Sequence, residues 1–325
     1  MVTTLLRYDL RVPSFATVTH AQQYAACLEQ CAWADAQGID AVTLAEHHGS
    51  DDGYLPSPMT LAAAVAGATK RMSISVAAII PPLHDPIRLA EQFAVLDLVS
   101  GGRVNLIAVP GYRPQEFDMA GVDRAARWQL LEEYVGVMRQ AWTGEPFEWR
   151  GRTIRVTPKP RAQPTLIIGG VTEAAARRAA RLRAGYNPSS SPDPRLPQAY
   201  HDECAKIGFT EGFIAPSIPI AAVHVSEDPE RDWARIAPHA LYEAQAYATW
   251  KDPVLGGRPA AATTEELRAT GAYRVVTPDE CVALGRELGG IILHPLLAGM
   301  PAELGWASLE LLAAKVLPQL RGAQS

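Results

Sequence analysis

None of the four cysteines is spaced as CxxC. Cys27, Cys31, Cys204 and Cys281 are therefore expected to be reduced packing residues, with Cys27 and Cys31 four apart on one helical segment. There is no lysine-rich tract and no basic helix face. The 30 basic and 35 acidic residues mix along the chain to a net charge of -5, which argues against nucleic acid as a partner. No apolar run is long enough to cross a bilayer, and the first ten residues hold only Arg7 as a positive charge and no long apolar stretch. A cytoplasmic chain without membrane contact is expected. The GxGxxG fingerprint is missing too, and no acidic residue is placed to hold an adenosine ribose, so a nicotinamide dinucleotide is disfavoured.

What is present is enough apolar material for a large core: 48% of the 325 residues are hydrophobic and 20% charged, which allows two domains or one large α/β barrel. Short β-rich runs at 5–10, 41–45, 73–80, 104–109, 165–168, 184–187, 218–225 and 290–294 alternate with helical stretches. Several runs are apolar throughout, as in strands buried on both faces. Asp85 before Pro86 caps a helix over 87–99 that Gly101-Gly102 stops, and Thr172 caps another over 173–183 that Gly185 ends. Eight evenly spaced strands with intervening helices predict a single (β/α)8 TIM barrel over residues 1–325. Three insertions are expected, at about 143–164, 188–216 and 251–276. The first contains a small hairpin around Gly151. The second opens on a loop with four prolines and three serines in ten positions. The third follows an aromatic helix and is a candidate lid.

Two patterns carry chemistry. Glu46-His47-His48 stands at the end of the run 41–45, where a carboxylate and two imidazoles can move protons. On extended backbone Glu46 and His48 share one face and His47 takes the other. The same residues could simply cap the strand. Gly169-Gly170-Val171-Thr172 lies between a strand and a helix, where glycines admit a phosphate close to the backbone and the helix N-terminus offers N–H groups. A plain Gly-Gly turn reads the same way. In a barrel both patterns would converge on one mouth.

These residues resemble the bacterial luciferase-like monooxygenases, which are (β/α)8 barrels using reduced flavin or a deazaflavin. The resemblance is carried by Ala45-Glu46-His47-His48, Pro81-Pro82-Leu83-His84-Asp85-Pro86, Leu96-Asp97-Leu98-Val99-Ser100-Gly101-Gly102-Arg103, Gly111 to Glu116-Phe117, Ile168-Gly169-Gly170 and His294-Pro295-Leu296. It implies catalytic roles for Glu46, His47 and His48 beside the flavin ring. Gly169, Gly170, Val171 and Thr172 would lie near the ribityl phosphate, and a bulge with a non-prolyl cis peptide at Ala77-Ala78 would support the ring. The family's phosphate-binding arginine is absent before Gly111, where Pro110 stands. Arg113 is either its substitute or a surface partner of Glu116.

The expected activity is oxygenation of a small, largely apolar molecule by reduced FMN and dioxygen, with a separate flavin reductase as partner. Tyr112, Tyr186, Tyr247 and Trp250 are candidate substrate-pocket walls, or else core. A deazaflavin hydride-transfer enzyme and a non-catalytic flavin-binding barrel are the alternatives. A metal-dependent barrel enzyme for sugars or phosphate esters is a further one, but no metal is expected, because His84, His224 and His294 lie on separate elements. The small-residue helix at 59–69, with Ala62, Ala63, Ala66 and Gly67, suggests a homodimer or ordinary packing.

Overall fold

A computed structural model of the chain describes residues 2–189, 191, 193–250 and 261–322. In chain order its elements are β1 (Thr3–Tyr8), α1 (His20–Gln37), β2 (Ala41–Leu44), α2 (Pro58–Ala68), β3 (Ser73–Ile79), α3 (Pro86–Ser100), β4 (Val104–Ala108), α4 (Pro114–Ala120) and α5 (Arg127–Ala141). There follow β5 (Phe147–Trp149), β6 (Arg152–Ile154), β7 (Leu166–Gly169), α6 (Glu173–Arg181), β8 (Gly185–Asn187), α7 (Arg195–Lys206), β9 (Ala222–Val225) and α8 (Pro229–Thr249). The chain closes with α9 (Thr264–Ala269), β10 (Tyr273–Val276), α10 (Pro278–Leu288), β11 (Gly290–Leu293), α11 (Ala302–Leu311) and α12 (Leu317–Arg321).

The chain forms two compact units, one of residues 1–43, 50–56 and 218–325, the other of 44–49 and 57–217. In the first, strands run in the order β10-β9-β11-β1-β2, with parallel pairing of β10 to β9, β9 to β11 and β11 to β1. In the second the order is β3-β4-β7-β8, parallel throughout. The fold is thus α/β with parallel strands and crossover helices. Strands β7 and β9 are buried at every position; β7 is apolar throughout, as burial on both faces requires, whereas β9 carries His224. No helix among the described residues is long and apolar enough to cross a membrane.

Caps set the helix ends. Asp85 accepts from the N–H groups of Ile87 and Arg88 at 2.9 Å and Gly101 ends α3 with φ +69°, as the sequence predicts. Thr172 likewise accepts from Ala175. Gly185, however, does not end a helix. It opens β8, and a Cβ there would lie 2.5 Å from the Phe213 ring. The hairpin turns on Arg150 and Gly151, both at positive φ, and pairs Phe147 with Ile154; a two-residue turn of that hand matches strand twist.

The second and third expected insertions also contain regular structure. α7 starts inside the proline-rich stretch, with Pro197 in a first turn whose N–H groups have no intrahelical acceptor anyway. β10 occupies residues assigned to the third insertion. Its sequence Tyr273-Arg274-Val275-Val276, with Arg274 exposed, is interrupted by a charge and follows glycine- and proline-bearing sequence. The first ten residues of that insertion lie outside the described residues.

Candidate active site

The second unit assembles a site from loops at strand ends. β2 ends at Leu44, and two residues later the Glu46 carboxylate is 2% exposed. It is satisfied by three donors. Oε2 accepts from the Ile80 backbone N–H at 2.6 Å, and Oε1 lies 3.0 Å from His48 Nε2 and 2.6 Å from His84 Nε2. Burial opposes the Glu46 charge, yet the hydrogen bonds from His48 and His84 overcome it and hold its pKa below the ordinary value. The reciprocal hydrogen bond to Glu46 raises the His48 pKa against its own partial burial. A carboxylate that donors surround stays charged, and it favours the protonated form of His48.

His47 turns the other way, as alternation along extended backbone predicts. Its Nδ1 is 2.7 Å from Glu116 Oε1, which also accepts from the His48 N–H at 3.0 Å and from Arg113 Nη1 at 3.2 Å. The Tyr112 ring meets His47 edge-on at 5.7 Å. A carboxylate on Nδ1 fixes the ring and its tautomer, making Nε2 the acceptor in the neutral form. Arg113 is buried rather than on the surface, and its Nη1 also donates to the His48 carbonyl at 2.9 Å. It shapes the loop that carries the histidines. Gly111 has φ +77°, and a Cβ there would lie 2.8 Å from Ile80, so packing and backbone conformation account for this glycine.

At the end of β3 the register against β4 shifts between Ala77 and Ile79, and the Ala77–Ala78 peptide is cis. Both alanines are half-buried in a strand whose flanking Val76 and Ile79 are buried. They offer a small, flat apolar wall on the same strand end that supplies the Ile80 N–H to Glu46. At the Gly-Gly turn, Gly169 pairs with Asn187, the Gly170 N–H donates to Asn187 O at 3.1 Å, and the Gly170 carbonyl accepts from Tyr186 at 2.6 Å. A Cβ on Gly170 would lie 2.5 Å from Ala175. The Gly170 N–H is thus spent within the protein.

The aromatic candidates separate. Tyr186 is fully buried and stacks on Tyr200 at 5.6 Å, so it is core and not a pocket wall. Tyr247 and Trp250 belong to the other unit, where with Tyr54 they surround the Arg11 guanidinium at 4.7, 4.5 and 4.6 Å. They face a cation of the protein itself. Arg11 in turn contacts Asp52 at 3.0 Å and Asp9 at 3.3 Å. Burial would raise the Asp9 pKa, but His294 and Arg11 hold it far below the ordinary range.

Sequence reasoning missed two residues. His84, expected on an element of its own, meets Glu46 and His48. Glu116 anchors His47. The signals were faint: His84 directly precedes the α3 cap, and Glu116 is an acidic residue in the first turn of a proline-initiated helix.

The sequence profile of the luciferase-like monooxygenases matches residues 10–284. The chain belongs to this family. Membership places it among oxidoreductases, and its relatives use either cofactor. It is 28% identical over 153 residues to the oxygenase component of the flavin-dependent trigonelline monooxygenase of Acinetobacter baylyi, covering 45% of this chain and 42% of that one. It is 27% identical over 311 residues to the F420-dependent glucose-6-phosphate dehydrogenase of Microbacterium testaceum, covering 89% and 91%. The chain spans about half the length of several curated relatives that it matches. In fold it is similar to the monooxygenase RslO1 from Streptomyces bottropensis, with a TM-score of 0.75 at 24% identity over 97% of this chain and 99% of that one.

Proposed function

We propose that this luciferase-like chain is a flavin-dependent monooxygenase of the (β/α)8 barrel type, acting on a small, largely apolar organic molecule. The observation that carries the reading is the pair of separately anchored imidazoles. His48 is held by Glu46, and His47 by Glu116, on the loop after β2, and the end of β3 that carries the Ala77–Ala78 bulge binds Glu46 through the Ile80 N–H. Such residues fit a planar redox ring: a flat apolar wall, and beside it groups able to give and take protons. When bound, reduced FMN supplied by a separate reductase would activate dioxygen. The protein's part is to hold the ring against Ala77 and Ala78, to keep water out, and to pass a proton through His48, whose pKa the hydrogen bond to Glu46 raises. His47, with Nδ1 fixed, is the second acceptor. Glu46 and Glu116 position these rings. Gly111 and Arg113 shape the loop, Val171 and Thr172 at the α6 N-terminus meet the phosphate, and Tyr112 lines the substrate side.

A deazaflavin hydride-transfer enzyme is the second reading, supported by the nearly full-length similarity to an F420-dependent relative. A non-catalytic flavin-binding barrel would have no use for two anchored imidazoles. We further place the protein in the cytoplasm as a homodimer. The dimer is supported by exposed Val95, Leu98 and Val99 on α3, beside exposed Ala63, Ala64 and Gly67 on α2.

The test is equilibrium binding of reduced FMN, oxidised FMN and reduced deazaflavin to the wild type and to a His47→Ala, His48→Ala double variant, followed by oxygen consumption. Tight binding of reduced FMN with oxygen use that drops at least about 100-fold in the double variant is expected. Deazaflavin binding without oxygen use would establish the second reading, and binding of neither would overturn both.

A further inference from the structure

We propose that Glu46, His48 and His84 form a binding site for a divalent transition-metal ion of the zinc class. Two imidazole nitrogens and one carboxylate oxygen are the donors such ions take. The three ligating atoms all lie within 4.8 Å of one another, with Nε2 of His48 and of His84 at 3.0 and 2.6 Å from Glu46 Oε1. Zinc bonds of about 2.0–2.2 Å in a tetrahedron set ligand atoms roughly 3.3–3.5 Å apart. The rings therefore need to withdraw from Glu46 Oε1 by less than about 1 Å.

The setting is that of a metal site as well as the donors. Glu46 Oε2 is pinned by the Ile80 N–H at 2.6 Å, the kind of outer hydrogen bond that fixes a ligating carboxylate. The carboxylate is wholly buried, whereas the His48 and His84 side chains are 23% and 26% exposed. An ion could enter between the rings and keep a fourth position for water. Asp9, Glu243 and His294 form a comparable donor cluster, but there Arg11 and Arg7 already neutralise the carboxylates and every member is buried. No arginine contacts Glu46 among the described residues.

On uptake, Nε2 of each ring exchanges its proton for the ion. A neutral ring keeps one proton, moved to Nδ1, and a protonated ring releases one to solvent. The site needs no flavin and stands or falls independently of the functional reading above. Taken with that reading, the ion removes His48 from proton transfer and silences the enzyme.

The experiment uses the full chain without an affinity tag, treated with chelator and free of cofactor. Zn2+ uptake is followed by calorimetry and Co2+ uptake by visible absorption. One ion per chain is expected, with weakening of at least about 100-fold in His48→Ala and in His84→Ala and no change in His201→Ala, an exposed histidine on α7. No uptake by the wild type, or uptake that both ligand variants retain, overturns the proposal. Should either variant fail to fold, histidine ring NMR of the wild type decides: zinc must shift His48 and His84, and shifts confined to other histidines overturn it. Flavin binding plays no part in these measurements, so neither result can stand in for the other.

Discussion

Glu46 does its work through hydrogen bonds that favour its own ionised form and the protonated form of His48. Because its pKa is lowered and that of His48 raised, the Glu46 contribution to stability is present above the unfolded carboxylate value of about 4.3 and fades as pH falls through the folded one. The His48 contribution is complete below about 6.5 and fades as pH rises through its folded pKa. Their contact is therefore fully stabilising between those limits. In Glu46→Gln the His48 titration midpoint, read by NMR, is expected to move down toward the ordinary histidine value, and chemical denaturation should show a loss of about 1–3 kcal/mol. An unmoved midpoint would mean that Glu46 does not govern His48. The division of labour within the triplet was readable beforehand: alternation alone sends Glu46 and His48 one way and His47 the other. The partners were not, since Glu116 and His84 lie 69 and 38 residues from the groups they bind.

Elements position these groups by how they end. β3 terminates in a bulge and the turn Pro81–Leu83, which brings the Ile80 N–H and His84 to Glu46. After β4, Gly111 takes a left-handed conformation in contact with Ile80 and Phe117, letting α4 begin at Pro114 with Glu116 facing inward. Gly111→Ala combines positive φ with a 2.8 Å clash and is expected to cost about 1–3 kcal/mol. Thermal unfolding would measure that cost, and weaker binding of the proposed cofactor should accompany it. An unchanged melting temperature would show that the loop adapts. Helix caps such as Asp85 and Thr172 were legible because a cap acts within a single turn. β10 was hidden because Arg274 interrupts its apolar residues and the sequence before it bears glycine and proline.

For the whole molecule, two outcomes are expected. Burial pushes the His224 pKa down to about 4, against about 6.5 when unfolded. As pH falls from 6.5 the unfolded chain takes the proton first, so stability declines toward pH 4, by about 3 kcal/mol in total, and then levels. His224→Gln should lack that segment in denaturation curves taken across this range, and an identical slope would exclude His224 as its source. The exposed apolar residues of α3 lead to the second. Leu98→Asp is expected to sediment as a monomer where the wild type sediments as a dimer, because a charge at the centre of an apolar interface is left without solvent. A monomeric wild type would refute the interface.

The amino-acid sequence by itself determined the parallel α/β class, eight of the parallel strands, the caps at Asp85 and Thr172 and the opposed directions of Glu46 and His47, because periodicity, turns and caps act over a few residues. Tertiary structure alone decided that His84 joins Glu46, that Glu116 and Arg113 hold the histidine loop, that Tyr186 is core, and that Tyr247 and Trp250 enclose Arg11. Those outcomes depend on strand register and on which buried charge finds which donor, and both are settled only when distant segments share one interior and every buried polar group must be paired.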